Sequence, residues 1–443
     1  MKFETTYRLE KFILNTRWED LPGPVQERIR GCFLDLLGAL LIGSRSEQFR
    51  VGLRLAKMLY GSGEIPVIGS QERLNFMGAA CAMGHSSNAY DIDDGHNLIR
   101  AHPGTSFIGA LLAAAYEKDV SRNEFLTALL VAYETTIRSG AAIMDYYQYA
   151  HSSGTFGAVG VAAGVGRLYG FDCKQLNNAL SVADFNAPLV PGIRSVEYPS
   201  MNKDGVPFGV MVGTLAIMET LCGFEGNKNL LEAEEYQHYL DDLGEKYQVM
   251  ELYFKPYTCC RWAHPVIDAC IQLMNAHRLT SEQIAHVTVK TFHRATLLSK
   301  IVPKTVDEAQ YNIAYPVAAA LLYGDFGYAQ VRQESLGDPK VVDMMQKLSF
   351  ETDPALDAQF PGRRICRVQI ETTDGRVLLS DECEPRGEAC ENIGYGWLAD
   401  KFRRITGPVM TCEGQEKLIE MLAGEQDIPL REIVHAANDG YLK

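Results

Sequence analysis

Within residues 91–102 the chain carries Asp91, Asp93, Asp94, His96, Arg100 and His102, broken by Gly95 and closed by Pro103-Gly104. Carboxylates, imidazoles and a guanidinium at such density, directly before an apolar run, suit a proton transfer or the grip on a polar ligand. Three further polar islands follow: 149–154 with His151, 198–205 with Lys203, and 254–265 with Lys255, the pair Cys259-Cys260, Arg261 and His264. Each alone has a bland reading. A loop is solvated, a His or Ser caps a helix, a lysine faces water, and adjacent thiols are buried rather than bridged. Together they repeat one design, with His or Lys placed where a helix begins. Backbone N–H groups already favour an anion there.

The elements that would hold these islands are mostly helices. Pro22-Gly23-Pro24 precedes an amphipathic run over 25–41, and further helices are expected over 73–87, 106–117, 122–144, 155–169, 173–183, 205–221 and 266–274. Many of them use Gly, Ala and Ser where Leu would be usual, which lets helices approach closely. The glycines between Gly154 and Gly166 follow no strand and do not fit G-x-G-x-x-G, so they read as helix packing rather than a dinucleotide loop. After about Ala276 the texture changes. Residues 284–291 and 364–371 alternate with period two, and Thr373-Asp374-Gly375-Arg376 before Val377-Leu378-Leu379 is a hairpin signal. Helical segments over 316–322 and 339–347 lie between these strands, and a helical pattern resumes over 397–403 and 414–423.

Composition narrows the function classes. The 443 residues exceed one comfortable core, and 47% hydrophobic with 22% charged is ordinary for a globular protein. A formal net charge of −14 argues against a nucleic-acid surface, while a pocket for an anion can set its own local potential. No apolar run of membrane-spanning length occurs, and the start Met1-Lys2-Phe3-Glu4-Thr5 has no signal-peptide core, so a cytoplasmic protein is expected. Eleven irregularly spaced cysteines suit reduced thiols. The lack of C-x-x-C and of H-E-x-x-H speaks against an iron–sulfur cluster, structural zinc or a zincin.

The order and spacing of the islands resemble the MmgE/PrpD family, which includes 2-methylcitrate dehydratase, cis-aconitate decarboxylase and iminodisuccinate epimerase. The resemblance runs from Asp35-Leu36-Leu37-Gly38 through Asp91-Ile92-Asp93-Asp94 and His102-Pro103 to His151-Ser152-Ser153-Gly154. It continues through Lys203, Lys255-Pro256-Tyr257 with His264, and Tyr311-Asn312-Ile313-Ala314-Tyr315-Pro316, to Asn392 and Lys401-Phe402. It implies a mainly α homodimer. A large all-helical domain would be formed by both chain ends, 1–268 and 393–443, with a smaller inserted α+β lid domain over 269–392. It also implies a site between the domains that uses no metal or organic cofactor, lined by Asp91, His102, His151, Lys203, Lys255, His264 and Tyr315.

The substrates of such a family are di- or tricarboxylates. Lys203, Lys255 and Arg261 would supply positive charge, with Arg261 able to grip a carboxylate through two parallel bonds. Neutralising that carboxylate acidifies the neighbouring C–H, and His102 or His151 would remove the proton, with His264 or Tyr315 as the partner acid. Loss of a β-hydroxyl makes the enzyme a dehydratase, the reading adopted here. Reprotonation on the other face would make it an epimerase of a dicarboxylate such as iminodisuccinate, and loss of CO₂ a decarboxylase. A carboxylate-binding protein without catalysis is the remaining alternative. Val206-Pro207-Phe208 and Cys259-Cys260-Arg261 depart from the family pattern beside the expected pocket, so they bear on substrate identity.

Overall fold

A computed structural model describes residues 1–442, and the molecule is mainly helical. Its central helix, Gly23–Gly43, starts at Gly23-Pro24, where a proline fits because the first turn has no N–H partner to lose, and is buried along most of its length. The C-terminal helix Tyr395–Thr406 lies against it. A Cβ on Gly31 would stand 2.5 Å from Leu398 Cδ1 and one on Gly38 2.9 Å from Ile405 Cδ1, so glycine sets the approach of these two helices. The tail thus rejoins the first helices, and Leu430–Asp439 packs on Ile108–Lys118.

Small residues do the same work around the helices Ser153–Leu168 and Val206–Leu221, which pack side by side. A Cβ on Gly154 would stand 2.1 Å from the carbonyl oxygen of Gly205, and one on Gly209 2.3 Å from that of Gly154. The expected close packing is therefore backbone on backbone. It brings the His151 segment against the turn that carries Lys203 and Asp204, and Gly154 N–H donates to the Asp204 carbonyl at 2.8 Å.

One four-stranded sheet lies after residue 280, ordered Leu348–Thr352, Ile284–Thr291, Cys366–Thr372, Val377–Leu379. Ile284–Thr291 pairs parallel with the first of these and antiparallel with Cys366–Thr372. The hairpin turns at Asp374-Gly375, where Gly375 has φ 86°. The helices His264–His277, Ala314–Tyr323 and Pro339–Met345 form a connected layer, the first of them against Cys366–Thr372.

Two expectations shift. The helix foreseen from residue 73 begins at Phe76, because Arg73-Leu74 pairs with Ser62–Pro66 and Asn75 then caps the Gly78 N–H at 2.9 Å. Leu348–Thr352 is a strand that the alternation had not singled out. Its half-exposed edge position leaves the pattern weak. No helix among the described residues is long and apolar enough to cross a membrane.

Candidate active site

The helix Phe76–Ser87 ends at Asn88, and the chain then runs inward instead of out to solvent. Asp91, Asp93 and Asp94 are all buried. Their loop is pinned from several directions: Lys401 Nζ donates to the Ile92 carbonyl at 2.7 Å and pairs with Asp35 at 2.5 Å. Lys203 Nζ donates to the carbonyls of Asn88 and Ala89, and Asn88 Nδ2 to Asp93 Oδ1 at 2.9 Å. Asp94 accepts from Gly104 N–H at 3.1 Å and from the Tyr133 hydroxyl, and burial pushes its carboxyl up to about 7. Asp91, Arg100 and Lys203 hold φ at 51°, 50° and 40°, the left-handed region that costs a residue with a Cβ about 1 kcal/mol or more.

That loop presents His102 with its charge partners in place. Nδ1 lies 3.0 Å from Asp93 Oδ2 and Nε2 3.5 Å from Asp91 Oδ1, while Lys255 Nζ, fully buried, stands 2.7 Å from the same Asp91 oxygen. Burial opposes a charge on the imidazole, and Lys255 adds to that. Asp93 and then Asp91 outweigh both, and the pKa is raised to about 9. At neutral pH His102 is an imidazolium. The cause is carboxylates rather than a helix end, since a 3₁₀ turn, Gly104–Ser106, separates it from the helix at Ile108.

His151 has the opposite surroundings. It precedes the helix Ser153–Leu168, its ring centroid lies 4.0 Å from that of Tyr149 and 5.4 Å from that of Tyr147, and neither ring nitrogen has a hydrogen-bond partner. Burial alone pushes it down to about 4, so it is a neutral imidazole at pH 7.

Both histidines line one cavity of about 450 Å³. Asp91 and Arg261 also line it, and Lys255 reaches it only through Asp91. Arg261 is already engaged: its terminal nitrogens donate to Glu388 at 2.9 Å and to the Arg386 carbonyl at 2.7 Å, leaving Nε without a partner. The two parallel bonds expected of it are therefore taken by protein groups. Lys203, His264 and Tyr315 do not line the cavity. Lys203 is turned into the loop and onto Gln310 Oε1 at 2.5 Å, a tie that positions Asp91. His264 is fully buried between Arg261 and the Cys259 carbonyl, and burial with those cations drives its pKa well down. The Tyr315 hydroxyl donates to backbone carbonyls of Gln330 and Ser335 in a separate depression.

Two family models match the chain: the MmgE/PrpD N-terminal domain over residues 7–242 and the MmgE/PrpD C-terminal domain over 257–425. The chain belongs to the MmgE/PrpD family. Among its relatives, the cis-aconitate decarboxylase-like protein oryM of Aspergillus oryzae is 24% identical, covering 94% of this chain and 96% of the relative. The cis-aconitate decarboxylase of Aspergillus terreus is 24% identical, covering 92% of this chain and 90% of its own. That of Homo sapiens is 22% identical, with 91% and 88% covered.

Several cavity residues of this MmgE/PrpD chain escape a reading of the sequence. Asp204 accepts from the Tyr311 hydroxyl at 3.0 Å, beside Asp91 and His102. Tyr311 stands four residues before Tyr315 in the quoted motif, and Asp204 follows Lys203, so in both cases the neighbouring residue drew the role. Arg100, Arg294 and Arg364 also line the cavity. Arg100 stood in the first island; nothing local marks the other two. Asp91, His102 and Asp204 place metal-ligand atoms within 4.8 Å of one another. A metal would need the His102 lone pair and the Asp91 charge, and the first is protonated while the second is compensated by Lys255.

Proposed function

We propose that the chain is a cofactor-independent lyase of the dehydratase type, acting on a di- or tricarboxylate by proton transfer next to a carboxylate. The observation that carries this reading is the pair of histidines lining one cavity, one held charged by Asp93 and Asp91, the other held neutral among tyrosines. Titratable groups pushed apart in this way divide the work of acid and base. In the proposed step, Arg261 Nε binds the carboxylate beside the reacting carbon, and His151 takes the proton from that carbon. The electron pair forms the carbon–carbon double bond as the β-hydroxyl leaves, and His102 donates the proton that releases it as water.

A decarboxylase is the second reading, favoured by the printed names of the relatives. It needs an acid to protonate the carbanion left by CO₂ but no base. The neutral, unpartnered His151 would then have no task, which is why dehydration is preferred. We further propose that the sheet-bearing segment closes over the helical body, and that the protein works as a homodimer. Support for pairing is the exposed apolar pair Phe208 and Leu215, seven residues apart on one side of Val206–Leu221, with Leu221, Phe185 and Phe224 also exposed. Sedimentation at micromolar concentration should give twice the chain mass, and a monomer would remove that proposal.

The test of the reaction is incubation with chelator and a panel of chiral hydroxy- and unsaturated polycarboxylates in deuterated water, followed by ultraviolet absorbance, CO₂ release and proton NMR. A new conjugated double bond without CO₂ is expected. CO₂ release with deuterium uptake moves the reaction to the decarboxylase. Deuterium uptake with inversion and no alkene makes it an epimerase, and binding without any turnover overturns the enzyme reading.

A further inference from the structure

The charges of the cavity are unevenly matched. His102 lies against Asp91 and Asp93, and Lys255 against Asp91. Arg100 and Arg294, both exposed, and Arg364, which is only 5% exposed, also line the cavity, and none of the three forms an ion pair among the described residues. Arg364 donates to the Asn97 side chain at 2.5 Å, and its Nε is buried without a partner. Its guanidinium also stands 5.9 Å from the ring centroid of Tyr253, which orients it without neutralising it.

Such an arrangement is costly unless something completes it. A buried guanidinium nitrogen without an acceptor forfeits solvation, and like charges gathered together repel. Burial, followed by the charges of Arg364 and Arg294, already lowers the pKa of Arg100. Carboxylates are not scarce in a chain with 56 acidic against 42 basic residues. Acidic partners are at hand close by, as Arg363, one residue from Arg364, pairs with Glu384 at 2.9 Å. What sets the cavity apart is that three unpaired guanidinium groups line it together, one of them buried.

We propose that Arg100, Arg294 and Arg364 form a second anion subsite, which holds the carboxylates of the substrate remote from the reacting carbon and makes the enzyme selective for tricarboxylates over dicarboxylates. The proposal rests on the polycarboxylate reading above and deepens it. Guanidinium groups suit the task because their planar forks match carboxylate oxygens and stay charged at any working pH. The three come from different parts of the chain. Arg100 lies on the loop of the helical body, Arg294 on the short helix His293–Thr296 after the strand Ile284–Thr291, and Arg364 just before the strand Cys366–Thr372. A tricarboxylate bound there ties the sheet-bearing segment to the loop that carries His102.

The test is calorimetry on the full chain at low ionic strength, with propane-1,2,3-tricarboxylate, glutarate and inorganic phosphate as separate probes. Charge-assisted bonds of this kind correspond to about tenfold or more in affinity. The wild type should bind the tricarboxylate at least about tenfold more tightly than glutarate. Arg294→Gln and Arg100→Gln, at exposed positions where the fold is indifferent to the change, should each shrink that ratio, and Arg364→Gln should abolish it. Glutarate, which has one remote carboxylate instead of two, should also bind more weakly in all three, but by a smaller factor than the tricarboxylate. A ratio that survives in every variant overturns the subsite. So does arginine-dependent binding of phosphate without preference for the tricarboxylate. An arginine-dependent ratio in a protein that turns over no polycarboxylate sustains the subsite and removes the catalytic reading instead.

Discussion

His102 and His151 face one cavity from walls built on opposite principles. The wall behind His102 is ionic, with three buried aspartates, a buried lysine and a loop bound through its own carbonyls to Lys203 and Lys401. The wall around His151 is aromatic and offers its ring no hydrogen bond. One residue type therefore arrives at about 9 on one side and about 4 on the other. A low-dielectric site magnifies whichever partner is present, so a carboxylate at 3 Å outweighs burial, and without one burial decides alone.

The comparison breaks most completely if the aromatic wall is catalytically idle. His151→Ala should lower kcat by about 10²- to 10⁴-fold, the usual contribution of a general base, with an unchanged melting temperature. Activity near wild type would leave His102 to act alone. Asp93→Asn addresses the ionic wall. The raised His102 contributes stability that is fully present below the ordinary value of 6.5 and lost as pH rises through about 9. Wild-type melting temperature should fall across that interval and the alkaline limb of kcat/KM should sit near 9. In Asp93→Asn both features should move down by about one unit or more. A third experiment loosens the aromatic side. Tyr149→Ala admits water to His151 and should raise its pKa, moving the acid limb up by about one unit. The ring's NMR titration would report this directly, and an unmoved titration would contradict burial as the cause. Smallest is Tyr315→Phe, which should alter kcat/KM by less than about twofold, since the hydroxyl serves two backbone carbonyls outside the cavity.

Density along the chain governed what could be read without coordinates. Asp91, His102 and His151 announce themselves because titratable groups crowd into short islands beside apolar helices. The close helix packing was equally visible, because Gly154, Gly157 and Gly160 recur at intervals that only close contact needs. What stayed hidden is assembled from distant pieces. Arg294 and Arg364 reach the cavity from the two sides of a strand pairing, Thr291 with Cys366, and each sits in unremarkable sequence. Lys203 and Tyr315 come from the family resemblance and not from their local surroundings. A lone lysine between proline and glycine reads as facing water, whereas its ammonium lies on the carbonyls of Asn88 and Ala89, the Gln310 amide and, at 3.7 Å, Asp307. Tyr315 stands four residues after Tyr311, which does reach the cavity.

The left-handed backbone at Asp91, Arg100 and Lys203 is strain that the protein carries for the sake of three side chains. Glycine would relieve about 1 kcal/mol at each position. At Asp91 it would leave the buried Lys255 ammonium unpaired, and at Lys203 it would strip the Asn88 and Ala89 carbonyls of their donor, losses larger than the relief. Only Arg100, exposed and without an ion pair, is a position where selection for heat resistance alone should collect glycine, and there the gain would delete a cavity guanidinium.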